Sequence, residues 1–187
     1  MDQQEDMILT LLKENVLNTE VVGSERQPIY KVETPSKGRG DLITTVTRTD
    51  EKPERVVATI DWAGSSSTIV DFNNTKISLT DFLGKGRNAI GFLSTSRLLK
   101  DGNDVYTWKT IGSNPLKLHD SNDNVVAKFH RPESIIFRKA KDGYLELSNS
   151  VAAGSLDAVF VSFIILKHAQ QRKAALRAQT INRGGVM

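Results

Sequence analysis

The sequence predicts a mainly β fold: a closed barrel of about ten to twelve antiparallel strands around a central hydrophobic C-terminal helix. Three observations lead there. Short runs rich in β-branched and aromatic residues recur along most of the chain, separated by turn residues. Parts of the chain repeat each other weakly. A long apolar segment then breaks the pattern and continues into a basic, helix-forming stretch.

The strand signals come first. Ile29–Val32 sits between Pro28 and Pro35, and Leu42–Thr49 is dominated by Thr, Ile and Val. Val56–Trp62, Thr68–Val70, Lys76–Leu79, Arg97–Leu99, Val105–Trp108, Leu116–Leu118, Val125–Phe129, Ser134–Arg138 and Tyr144–Leu147 follow. β-branched and aromatic residues suit a half-buried pleated surface. Asn73-Asn74, Asp101-Gly102-Asn103, Ser121–Asn124 and Asp142-Gly143 have the chemistry of hairpin tips. Every proline falls at the edge of a run, where a strand tolerates a residue without a donor.

The repeat pairs Val56–Trp62 with Val125–Arg131, Ile29-Tyr30-Lys31 with Val105-Tyr106-Thr107, and Thr68-Ile69-Val70 with Ser134-Ile135-Ile136. Three matches in one order predict two similar β halves. Two repeats cannot stack into a solenoid, so a closed pseudo-symmetric sheet is the better expectation. Trp62 and Trp108 are expected at similar places in the two halves.

After Gly154, Ser155 offers a cap and Asp157 suits the positive end of a helix. Leu156, Ala158–Val161 and Phe163–Leu166 are apolar, interrupted by Asp157 and Ser162. A helix apolar on all faces must be surrounded. Phe160 and Phe163, with Trp62 and Trp108, are the expected core. Lys167–Gln179 is rich in Ala, Gln, Lys and Arg, which favour helix. These readings give one domain over 1–177, with its core helix near 155–177 and a flexible basic tail at 178–187.

The chain has 187 residues and a net charge of +3, but the charge is uneven. Asp2, Glu5, Asp6, Glu14 and Glu20 crowd the start; Lys167, Arg172, Lys173, Arg177 and Arg183 mark the end. The acidic start lacks the basic region of a signal peptide, and no apolar run approaches the roughly twenty residues a membrane helix needs. A cytoplasmic location is expected. No aromatic-interleaved basic stretch points to nucleic acid.

Cysteine is absent, which removes disulfides, thiolate zinc sites and a cysteine nucleophile. His119, His130 and His168 are not at ligand spacing from one another. Asp120, Asn122 and Asn124 have the spacing of a calcium loop, but Val125 and Arg131 stand where glycine and glutamate are needed. No catalytic motif, metal site or cofactor is expected, and the chain is read as non-enzymatic. Gly84–Ala89, with Lys85 and Arg87, has the composition of an anion-cradling loop without the Walker pattern.

The segments Pro28–Pro35, Thr44–Arg48, Ala58–Trp62, Asp81-Phe82-Leu83, Ser96-Arg97, Asp101-Gly102, Tyr106–Lys109, Val126–His130 and Leu156–Phe163, in this order, resemble a fungal domain family of unknown function. The resemblance implies a fold like the tubby C-terminal domain, the LURP-one-related proteins and the phospholipid scramblases. It implies no catalytic residues. By analogy with lipid-binding members of that fold, the expected partner is an anionic phospholipid membrane surface, met peripherally through Lys85, Arg87, Arg97, Lys167, Arg172 and Lys173. The alternative is a soluble module that binds a protein partner or a second copy of itself, with no lipid ligand.

Overall fold

The computed structural model describes residues 6–35, 42–62, 68–86, 94–111, 115–132 and 142–183. They form one antiparallel sheet of thirteen strands and a long helix. The first half is β1 (Met7–Leu11), β2 (Thr19–Val22), β3 (Pro28–Glu33), β4 (Ile43–Arg48), β5 (Arg55–Asp61), β6 (Ile69–Phe72) and β7 (Thr75–Ser78). One helical turn, α1 (Leu79–Phe82), leads to the second half. That half is β8 (Leu83–Lys85), β9 (Ser94–Asp101), β10 (Asp104–Ile111), β11 (Lys117–His119), β12 (Val125–His130) and β13 (Tyr144–Leu147). Then come α2 (Asn149–Gly154) and α3 (Leu156–Arg183).

Each half is a meander of sequential antiparallel neighbours. They join where β1 pairs with β13, Met7 opposite Leu147 and Leu9 opposite Leu145. The repeat read from sequence corresponds to β3 with β10 and β5 with β12. The Ser134-Ile135-Ile136 match and the Ser134–Arg138 run lie outside the described residues. The two tryptophans are not equivalent: Trp108 lies within β10, whereas Trp62 follows the end of β5.

The turn chemistry is direct. Asn73 and Asn74 adopt φ 49° and 63° between β6 and β7, the left-handed pair that a tight hairpin requires. Gly102, at φ 58°, turns β9 into β10. The Asp120 carboxylate accepts the amides of Asn122 and Asn124 at 2.9 and 2.8 Å, closing the β11–β12 tip on itself.

The expected barrel closure is corrected. β7 and β8 are the two ends of the described sheet and share no ladder. The four residues of α1 connect them directly, so a helical turn occupies the place of a hydrogen-bonded seam. Ser78 caps that turn by accepting the Asp81 amide at 3.1 Å. Phe82, 5% exposed, packs against Phe72 at 5.5 Å between ring centroids. This ring contact ties α1 to β6, while β7 and β8 stay unpaired with each other.

The sheet wraps α3 all the same. All of Ala158–Ile165 is buried, and eight successive helical residues cover every direction around the axis. Tyr30 of β3 stacks on Phe160 at 4.1 Å, while Trp108 of β10 and Phe129 of β12 both meet Phe163. Ser162, the polar break in the apolar run, is satisfied: it donates to Val159 O and accepts Trp108 Nε1–H, both at 2.8 Å. The helical stretch begins earlier than expected, at α2, and Ser155 is a junction whose hydroxyl accepts from Tyr106. It also extends beyond position 177, to Arg183.

Candidate functional site

Asp157, in the first turn of α3, carries an acid into an apolar helix, and the sheet supplies its partners. Its Oδ1 accepts from the Tyr30 hydroxyl at 2.5 Å and from Arg48 at 3.2 Å; its Oδ2 accepts from Arg55 at 2.7 Å. Arg48 also holds Asp50 at 2.8 Å, and Arg55 holds Glu51 at 2.9 Å. Burial, then the Asp157 charge, push the Tyr30 hydroxyl far above the ordinary tyrosine range. It stays a proton donor and cannot serve as a base. Three carboxylates and two guanidiniums are engaged with one another, so the arrangement fixes the helix start rather than presenting a reactive group.

The other end of the helix is different. A cavity of about 340 Å³ opens where α3 leaves the sheet. Leu11, Val16 and Phe129 form buried walls, and Lys13, Glu14 and Asp142 are exposed at its rim. Lys167, partly buried, lines it with Nζ 4.3 Å from the Phe129 ring centroid. Burial first, then the neighbouring Arg131, hold the Lys167 ammonium below the usual lysine range, against a smaller opposing effect of Glu14. The ring face partly compensates the desolvated cation. Among the described residues, no carboxylate forms an ion pair with Lys167.

Around the same exit, Gln171 donates to the Glu14 carbonyl at 2.7 Å and Gln170 to the Thr110 hydroxyl at 3.2 Å. The His168 ring lies 4.8 Å from the Trp62 ring. Burial, then Arg172, lower the His168 pKa. Beyond this collar Arg172, Lys173 and Arg177 are exposed, and Leu176 is 60% exposed.

The sequence-selected residues divide into two sets. Lys167, Arg172 and Lys173 follow one another along α3. Lys85 of β8 is abreast of Arg97 of β9, which is abreast of Trp108. Lys85 is exposed, Arg97 partly buried. Arg87 lies outside the described residues. The glycines beside Lys85 do not form an open loop: Gly84 is in β8, and the Gly86 amide donates to Ser96 O at 3.1 Å. A Cβ on Gly86 would stand 1.9 Å from Ser96 Oγ, so close strand contact explains that glycine. Trp108, Phe160 and Phe163 are 0–1% exposed. Trp62 is partly buried at the edge of the core, its Nε1–H donating to Thr44 at 2.7 Å.

His130 lies 2.6 Å from Glu146 and stacks on Tyr144, while His119 contacts Asp123 at 3.1 Å. Among the described residues, no group of three or more His, Asp or Glu side chains is placed to hold a metal. Nor is any helix among them long and apolar enough to cross a membrane.

One antiparallel sheet wound about a single apolar helix, latched by paired charge at one end and opening on a lysine-lined cavity at the other, defines a helix-filled β scaffold. Residues 14–172 match the model of a family of unknown function (DUF6593), and the chain belongs to that family. A solved X-ray structure of a protein from Arabidopsis thaliana is similar over 89% of this chain and 92% of its own, at 12% identity and TM-score 0.46. No curated protein matches.

Proposed function

We propose that the protein is a non-enzymatic, tubby-like module that docks peripherally on anionic phospholipid surfaces at the cytoplasmic face of a membrane. The observation that carries this reading is the change in character along α3. The helix is core through Ile165, then emerges with exposed Arg172, Lys173, Leu176 and Arg177. After Asp157 the sequence contains no acid. A basic helix face with an exposed leucine suits the headgroup region, where each cation near the surface contributes about 1 kcal/mol. The resemblance to tubby-like and scramblase domains supports the same reading. Lys85 and Arg97 form a second basic pair on the sheet.

Co-sedimentation with liposomes tests it. The protein is expected to sediment with phosphatidylserine- and phosphoinositide-containing vesicles and not with pure phosphatidylcholine, and added salt weakens the binding. The triple variant Arg172→Glu, Lys173→Glu, Arg177→Glu should lose it. No sedimentation at low salt overturns the proposal. A concentration-dependent mass in solution would then favour the alternative, a soluble module that pairs with a protein or with itself.

A further inference from the structure

We infer that the cavity beside Lys167 binds a monoanionic amphiphile: one carboxylate or phosphodiester attached to a hydrocarbon body. The cavity, about 340 Å³, is at the small end of the range of ligand pockets. Its inner wall is apolar, formed by Leu11, Val16 and Phe129. Lys167 is the partly buried charge on this wall, and the Phe129 ring holds its amine in place. An anion arriving there meets a cation partly stripped of water, where the attraction exceeds that of a surface pair. The cost that burial imposes on the ammonium is then offset by the ligand.

The rim sets the valence. Lys13 and the neighbouring Arg131 are offset by Glu14 and Asp142, all exposed and screened. With those charges balanced, the partly buried Lys167 supplies a single positive charge toward the cavity, which suits one negative charge. Gln171 adds a polar partner: one of its two amide protons is engaged with Glu14 O, and the other is available in donor count. This site does not depend on the exposed face beyond Arg172, and it can be tested without a membrane.

The experiment is an amide NMR titration of the intact protein with sodium octanoate and with monomeric dihexanoyl phosphatidylglycerol, which separate a free carboxylate from a lipid phosphodiester. 1-Octanol and tripolyphosphate are the neutral and multivalent comparisons. Saturable shifts at Leu11, Val16, Lys167 and Gln171 are expected with at least one of the two amphiphiles. Binding of 1-octanol and tripolyphosphate should be weaker by about tenfold or more. Lys167→Met should weaken the amphiphile by a similar factor, and the triple variant of the exit face should not. In the wild type, a direct titration of the Lys167 amine should move upward when ligand is present, a readout that needs no variant. No saturable binding of either amphiphile, equal binding by a folded Lys167→Met protein, tripolyphosphate binding as tight as octanoate, or an unmoved amine titration would each overturn the inference.

Discussion

Asp157 is a residue whose environment, rather than its neighbours in sequence, explains it. The side chain is 16% exposed and accepts from one tyrosine and two arginines of different strands. Arg55 is 40% exposed and contributes little through solvent screening. Tyr30 and Arg48, more enclosed, supply most of the effect. Asp157→Asn keeps the shape and removes the charge, so it should cost about 2 kcal/mol, in the range of hydrogen bonds to charged groups. Urea unfolding at neutral pH measures this; a loss below about 0.5 kcal/mol would contradict the latch. The sequence held half of this. It marked Asp157 as suited to a helix start and matched Tyr30 with Tyr106, and both hydroxyls do reach the beginning of α3. It did not reveal Arg48 and Arg55, because nothing local distinguishes an arginine that points to the helix from one in solvent. The cavity lining escaped for the same reason: Lys13, Phe129 and Asp142 are brought together by pairing, not by spacing.

Elements were legible where local chemistry decides them. The hairpin tips at Asn73-Asn74 and Gly102 have the positive φ that their residue types favour. The expected strands at 29–32, 56–62, 125–129 and 144–147 fall on β3, β5, β12 and β13 to within a residue or two. Elements too short to show a period were missed. Met7–Leu11 is β1, the strand that joins the two halves, and α1 is a single turn that starts at the last residue of the expected strand Lys76–Leu79. That turn makes the seam the weak line of the sheet. β7 and β8 each have one ladder partner, and α1 with its buried Phe82 stands between them in place of backbone bonds. In native-state hydrogen exchange, unpaired-edge amides of β7 and β8 should exchange well before those of β1 and β13. Equal protection across all four strands would mean that the seam is as firm as a ladder.

At the scale of the molecule, one fact governs stability: among the described residues, the layer that packs against the sheet is the helix inside it. Its inner face is covered by Ala158–Ile165, and those residues have no other place to be buried. The sequence conveys this through composition, since a helix apolar all round requires a surround. It cannot convey whether the surround closes by hydrogen bonds, because closure depends on how thirteen strands curl and on four residues at the seam. Phe163 tests the arrangement most severely. It is fully buried and touches Trp108, Phe129 and Phe160, from both the sheet and its own helix. Truncation to alanine should cost about 3–5 kcal/mol, a large share of a domain's stability. Phe163→Asp puts a carboxylate among the rings of Trp108, Phe129 and Phe160, a burden that exceeds what remains. Expression of Phe163→Asp should therefore give no soluble folded protein, and Phe163→Leu, which keeps most of the volume, should melt cooperatively at a lower temperature. A soluble Phe163→Asp protein with a cooperative thermal transition would show that α3 is not the core that the sheet is built around.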